Sequence, residues 1–203
     1  MQPATNNLAI VILAGGQATR FPHKLHADAG GGVPLIVRVY RNLAGHFPVY
    51  ISAQASFPPQ IDALLDCPLI VDRWVKRGPL SGILSAFSQI SESLVFVVAG
   101  DSPFADRALA AELLEQFQSG DEAVVPCAIV DGRERLEPLI ALYDREAFMR
   151  EGEPILRNSF GAVKDVVARL KTRRVQLSRA EFYANINTAG EYRKAFSFSE
   201  VSG

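Results

Sequence analysis

Cysteine, histidine and tryptophan are scarce in this chain: two, three and one among 203 residues. Cys67 and Cys127 lie far apart and have no companions at short spacing, so neither a CxxC redox pair nor a thiolate zinc site is available. Both read as buried apolar residues. His23, His26 and His46 form no ligand cluster, and His46, beside Phe47 and Pro48, reads as a loop residue. Trp74, between Arg73 and Val75, reads as packing rather than as a platform for a base. Ser81 and Ser102 have no His and Asp partners at motif spacing, which leaves covalent acyl chemistry without support.

A surplus of one charge is missing as well. Lys and Arg total 21 against 22 for Asp and Glu, with no long run of either sign, so neither nucleic acid nor an anionic membrane surface is expected as a partner. A small anionic ligand needs only a local basic site. The apolar run from Leu8 to Ala14 is too short for a signal-peptide core or a membrane span, and MQPATNN brings no basic residue before it. A cytoplasmic protein is expected. There is no internal repeat and no Pro/Ser/Gly linker, so residues 1–203 read as one domain, with 197–203 as a frayed tail.

What is present is a core: 48% of the residues are hydrophobic and 21% charged, the profile of a soluble globular chain. Continuously apolar runs at Leu8–Leu13, Val49–Ser52, Leu69–Val71, Leu94–Val98 and Ala123–Val125 predict strands covered on both faces. Between them, Leu35–Leu43, Pro79–Ile90 and Arg107–Phe117 carry apolar residues three and four apart, the helical period. Such alternation implies βαβ crossovers and a mainly parallel sheet with helices on both sides, a three-layer α/β/α fold. Farther on, Leu139–Leu142 and Arg174–Leu177 read as strands and Arg145–Met149 and Val163–Leu170 as helices, completing the same sheet.

In such a sheet ligands sit beyond the carboxyl ends of the strands, so the residues following each apolar run matter most. Leu13-Ala14-Gly15-Gly16 follows the first run, and its glycines let backbone approach phosphate oxygens, with Arg20 and Lys24 adding charge. The spacing matches neither GxGxxG nor a P-loop, and a plain Gly-Gly turn fits it too. Asp101, in Gly100-Asp101-Ser102-Pro103, is placed either to hold Mg²⁺ against triphosphate oxygens or to cap a helix starting near Pro103. Asp72 precedes Gly78-Pro79-Leu80-Ser81-Gly82, where free amides at a helix entry can receive a phosphate or a base carbonyl, although Gly then Pro is also ordinary helix initiation. Asn185 and Asn187 share a face if extended, and alone they read as turn residues. Pro154 to Val163, with Arg157, Asn158 and Phe160, reads either as a segment that closes over the acceptor half of the site or, equally well, as an ordinary surface loop.

Taken together, LAGGQATRF with Lys24, VDRWVKRGPLSGI, VVAGDSPF, EPLIALY and NINTAGEY follow the order and approximate spacing of the molybdenum cofactor guanylyltransferases, the MobA-type nucleotidyltransferases, which the whole chain resembles. The resemblance implies a Rossmann-like nucleotidyltransferase that uses GTP and Mg²⁺ to convert molybdopterin cofactor into its guanine dinucleotide form, with release of pyrophosphate. It implies that Leu13, Ala14, Gly15 and Gly16 wrap the nucleotide, with Gln54, Asp72 and Gly78 also on its side. By the same likeness Lys24 contacts the phosphates, Arg20, Lys24 and Asp101 serve catalysis, and Asp101 holds Mg²⁺. Asn185 and Asn187 map to the pterin side, and transient contact with cofactor-biosynthesis proteins or recipient molybdoenzymes is implied. The chain departs from the family pattern at Ala18, Phe21, Pro22-His23, Gly30-Gly31-Gly32 and Gln54, which shorten the lysine loop, lengthen the next turn and alter the base pocket. Rival readings are a cytidylyl- or sugar-phosphate nucleotidyltransferase, and a non-catalytic module that binds and delivers cofactor.

Overall fold

Leu8–Leu13 (β1) is six apolar residues in a row, all buried, and side chains along a strand alternate between faces. Leu8, Ile10 and Ile12 therefore enter one hydrophobic core and Ala9, Val11 and Leu13 a second, one core on each side of the sheet. A computed structural model describes residues 7–15, 24–29, 31–74, 77–158, 161–183 and 191. The further strands are Val49–Ala53 (β2), Leu69–Val71 (β3), Leu94–Ala99 (β4), Ala123–Val130 (β5), Arg133–Leu136 (β6), Ile140–Asp144 (β7) and Thr172–Val175 (β8). The helices are Leu35–Leu43 (α1), Pro59–Asp62 (α2), Pro79–Phe87 (α3), Arg107–Gln116 (α4), Arg145–Asn158 (α5) and Val163–Val167 (α6).

The strands form one sheet in the order β3-β2-β1-β4-β7-β5-β6, with β8 pairing β5. The β1–β2, β2–β3, β1–β4 and β5–β8 ladders are parallel, and β7 runs antiparallel between β4 and β5. Helices α1, α2 and α4 cover the Leu8/Ile10/Ile12 face, while α3, α5 and α6 cover the other. The second face is tightened by aromatic edges: Phe148 of α5 meets Phe87 of α3 at 5.2 Å and Tyr143 of β7 at 4.7 Å between ring centroids. The mainly parallel three-layer reading holds, and β1, β3 and α1 fall where the apolar runs put them.

The later elements differ from expectation. β5 continues to Val130 and turns through Asp131-Gly132, both at positive φ, into β6, a charged strand no apolar run announces. The last strand lies at Thr172–Val175 rather than Arg174–Leu177, and α6 ends at Val167. Helix α5 runs on through Pro154 to Asn158, so the first part of the expected Pro154–Val163 loop is helix. Packing explains that override of a poor local propensity: Ile155 and Leu156 are buried, and Gly152 lies so close to α3 that a methyl there would sit 3.0 Å from Leu84.

Candidate active site

From β1 the chain proceeds outward to β2 and β3, then crosses to place β4 on the other flank of β1. A crevice opens where the strand order reverses, at the carboxyl ends of β1 and β4. Backbone hydrogen bonds hold its floor together: Ala14 N–H donates to Ser52 O at 2.7 Å and Gly100 N–H to Leu13 O at 2.9 Å.

Lys24 opens a 3-10 turn, Lys24–His26, and its Nζ donates to Asp101 Oδ2. Both side chains are 16% exposed, so the pair sits at the rim, partly shielded and still reachable. Asp101 does not cap a helix. Helix α4 starts at Arg107 and is capped by Asp106, whose Oδ1 accepts from Leu109 N–H at 2.9 Å.

Toward β2 and β3 the crevice holds a second carboxylate in a different setting. Asp72 is 6% exposed, and its Oδ1 accepts from Ser52 Oγ at 2.6 Å, with Gly82 O 3.1 Å from the same hydroxyl. Two glycines press on it: a Cβ on Gly15 would lie 3.0 Å from Asp72 Oδ2, and one on Gly82 would lie 3.0 Å from Ser52 Oγ and 3.4 Å from Asp72 Oδ1. Only glycine lets the loop after β1 and the first turn of α3 close around this carboxylate. Burial pushes the Asp72 pKa up, and the Ser52 hydrogen bond opposes that rise. Gly78, at φ 72°, makes the turn into α3, and Arg73 N–H donates to Ser85 Oγ at 2.9 Å, fixing the start of the intervening loop. Trp74 on that loop is 37% exposed and so is not the packing residue expected.

On the opposite flank, Ala99 N–H donates to Leu139 O at 2.9 Å and Glu137 N–H to Pro126 O at 2.9 Å, so the link from β6 to β7 lies at the same edge of the sheet. The Glu137 side chain is 18% exposed, 3.4 Å from Arg135 Nε. Burial raises its pKa, and Arg135 pulls the other way. The segment after β8 is clamped onto α4: Ser178 donates twice to Glu112, each at 2.7 Å, and Arg179 bonds Asp106 at 2.6 Å and lies 3.9 Å over the Phe182 ring. Tyr183 accepts from Leu177 N–H and donates to Cys127 O.

The structure therefore gathers Leu13, Ala14, Gly15, Lys24, Gln54, Asp72, Gly78 and Asp101 at one edge of the sheet, with Gln54 Cγ 3.7 Å from where a Gly15 Cβ would be. Gly16, Arg20, Asn185 and Asn187 lie outside the described residues. Ser52, bonded to Asp72, and Glu137, at the same edge of the sheet on the opposite flank, are residues that the sequence reading did not single out, while Gly82, read there as part of the helix entry, proves to press on the Ser52–Asp72 pair. Glu137 stands in the EPLIALY string, where its burial had no sequence signal. Among the described residues no cluster of three or more His, Cys, Asp or Glu could cage a metal ion. A single hard carboxylate such as Asp101 nevertheless fits Mg²⁺, which keeps waters and takes phosphate oxygens as its remaining ligands. Cys127 is buried and Cys67 half-buried; burial pushes the Cys67 thiol up to about 12, which makes it inert.

The model of the MobA-like NTP transferase domain matches residues 10–172, the span holding every described crevice residue except those near the C-terminus. The chain belongs to that family. It is a nucleotidyltransferase. A probable molybdenum cofactor guanylyltransferase of Carboxydothermus hydrogenoformans is 27% identical over 93% of this chain and 94% of its own length. One from Bacillus anthracis is 24% identical over 91% and 94%. Among solved structures, molybdopterin-guanine dinucleotide biosynthesis protein A from Archaeoglobus fulgidus superposes with a TM-score of 0.76 at 21% identity, covering 94% of this chain and 98% of that one. A 4-diphosphocytidyl-2C-methyl-D-erythritol synthase from Anaerococcus prevotii gives 0.73 at 11% identity, covering 95% of each chain. These two likenesses establish the nucleotidyltransferase fold of the MobA-like domain. Among the described residues no helix is long and apolar enough to cross a membrane.

Proposed function

We propose that the protein transfers GMP from GTP to molybdopterin cofactor, forming the guanine dinucleotide and pyrophosphate. The observation that carries the reading is the meeting of Lys24 and Asp101 at the β1–β4 switch point, beside a glycine-lined cradle around Asp72. The names of relatives spanning more than nine-tenths of the chain support the choice of substrates.

In this reaction a terminal phosphate oxygen of the acceptor attacks the α-phosphorus of GTP. The bond from that phosphorus to the bridging oxygen breaks, and pyrophosphate leaves with the electron pair. The protein supplies no nucleophile; position and charge perform the catalysis. Lys24 is close enough to the rim to exchange its Asp101 partner for a phosphate oxygen, and Arg20 is assigned to the same role. Asp101 would hold Mg²⁺, which would neutralise charge on the triphosphate. Leu13, Ala14, Gly15, Gly16, Gln54 and Gly78 line the nucleotide side, with Asp72 beneath Gly15, and Asn185 and Asn187 belong to the pterin side. A cytoplasmic location suits an enzyme fed by GTP.

Pyrophosphate release from molybdopterin cofactor, Mg²⁺ and each of GTP, CTP, ATP and UTP tests the reading. GTP alone is expected to support turnover. Release with CTP or UTP instead would move the enzyme to another nucleotide, and binding without release from any would favour a delivery role.

A further inference from the structure

The nucleotide half of the crevice is built by the ends of β1, β2 and β3, and Lys24 and Asp101 mark its phosphate end. An acceptor in line with the α-phosphorus must therefore approach over β7 and β5, the flank that carries Glu137. The β4–β7 ladder runs from Leu94 opposite Asp144 to Val98 opposite Ile140 and closes with Ala99 N–H on Leu139 O, so the short turn that begins at Glu137 hangs from the same end of β4 as Asp101. Glu137 is also held in place: its own N–H is bonded to Pro126 O, and its carbonyl accepts from Ile140 N–H at 3.1 Å. Its side chain is 18% exposed, and among the described residues its carboxylate pairs with the outer Arg135, itself 70% exposed, at 3.4 Å, with the Tyr183 phenol, already donating to Cys127 O, in electrostatic reach. So loose a pair at the surface is weak and leaves most of the acceptor capacity of the carboxylate unspent. A shielded anion repels phosphate and attracts N–H donors.

We infer that Glu137 is a specificity residue for the acceptor. Its two oxygens receive the adjacent N–H groups of a 2-amino-4-oxo-pyrimidine edge, the donor edge of a pterin, and its charge turns the phosphate of the same molecule away toward Lys24. The inference rests on the proposed reaction for its substrate. It adds what orients that substrate: a ring that lacks the 2-amino donor leaves the carboxylate short of a partner, and a buried polar group left unpaired discriminates more sharply than shape does.

The test titrates the full-length protein, with a non-hydrolysable GTP analogue and Mg²⁺ present, against 6-hydroxymethylpterin and 6-hydroxymethyllumazine. The second replaces the 2-amino group by oxygen. Wild type is expected to prefer the pterin by about tenfold to a hundredfold, the worth of a hydrogen bond to a charged group. Glu137→Gln is expected to lose that preference while binding the GTP analogue unchanged, and Glu137→Asp to keep part of it. A wild type indifferent to the two rings, or a Glu137→Gln variant as selective as wild type, overturns the inference. Pyrophosphate release from GTP and molybdopterin by wild type, measured alongside, separates the two readings. Turnover without Glu137-dependent selectivity sinks this inference alone, and selectivity without turnover sinks the proposed reaction alone.

Discussion

Asp101 and Asp72 face the same crevice from opposite electrostatic situations. Asp101 is neutralised by Lys24 at a partly open rim, whereas Asp72 is enclosed and, among the described residues, is hydrogen-bonded by the Ser52 hydroxyl. Asp101→Asn is expected to retain the wild-type melting temperature and to slow pyrophosphate release at least about 10²-fold, the size typical of a lost electrostatic contact in phosphoryl-type catalysis. Asp72 answers to pH instead. Its folded pKa is raised by burial, so its contribution to stability is full below the unfolded carboxylate pKa and is lost as pH rises through the folded value. Asp72→Asn stays neutral throughout, so thermal melts should find it more stable than wild type at pH 7, with the margin closing toward about pH 4, while its KM for GTP rises. Gly82→Ala drives a methyl to 3.0 Å from Ser52 Oγ. A cost of about 1–3 kcal/mol in urea unfolding is expected, together with a raised KM for GTP.

The elements legible in the sequence are those whose own residues carry the pattern. β1 and β4 are apolar throughout because both faces are covered, and α1 shows its buried stripe of Leu35, Ile36, Val39 and Leu43 at helical spacing. β6 was hidden because Arg133, Glu134 and Arg135 are exposed; hydrogen bonding to β5, not burial, makes them a strand. Helix α5 was hidden beyond Met149 because Gly152 and Pro154 mimic a helix end, and only the surface of α3 makes continuation favourable. The site divides likewise. Gly15, Asp72 and Asp101 stand directly after apolar runs or beside glycines, whereas Lys24 stands next to neither and the burial of Glu137, just past a charged strand, has no such marker. The α3–α5 contact has a measurable weight. Phe148→Ala empties a fully buried ring site between Phe87 and Tyr143, and urea denaturation is expected to show a loss of about 3–5 kcal/mol.

At the scale of the whole molecule, the fold holds an anionic substrate on a protein of almost no net charge, so its stability should respond to the substrate itself. Saturation with GTP and Mg²⁺ at about a hundred times Kd adds about 2.7 kcal/mol, which for a chain of this size raises the melting temperature by about 5–10 °C. A much smaller shift would argue against a built nucleotide site. The reversal of β7 carries a consequence of another kind. The described nucleotide-side residues come from positions up to 101, and the described flank beyond β4 is built from residues of β5 onward. On the proposed reading, donor and acceptor are handled by successive stretches of one chain, joined through α4, and a recombinant exchanged within the Ser102–Phe104 turn is expected to inherit its nucleotide from one parent and its acceptor from the other.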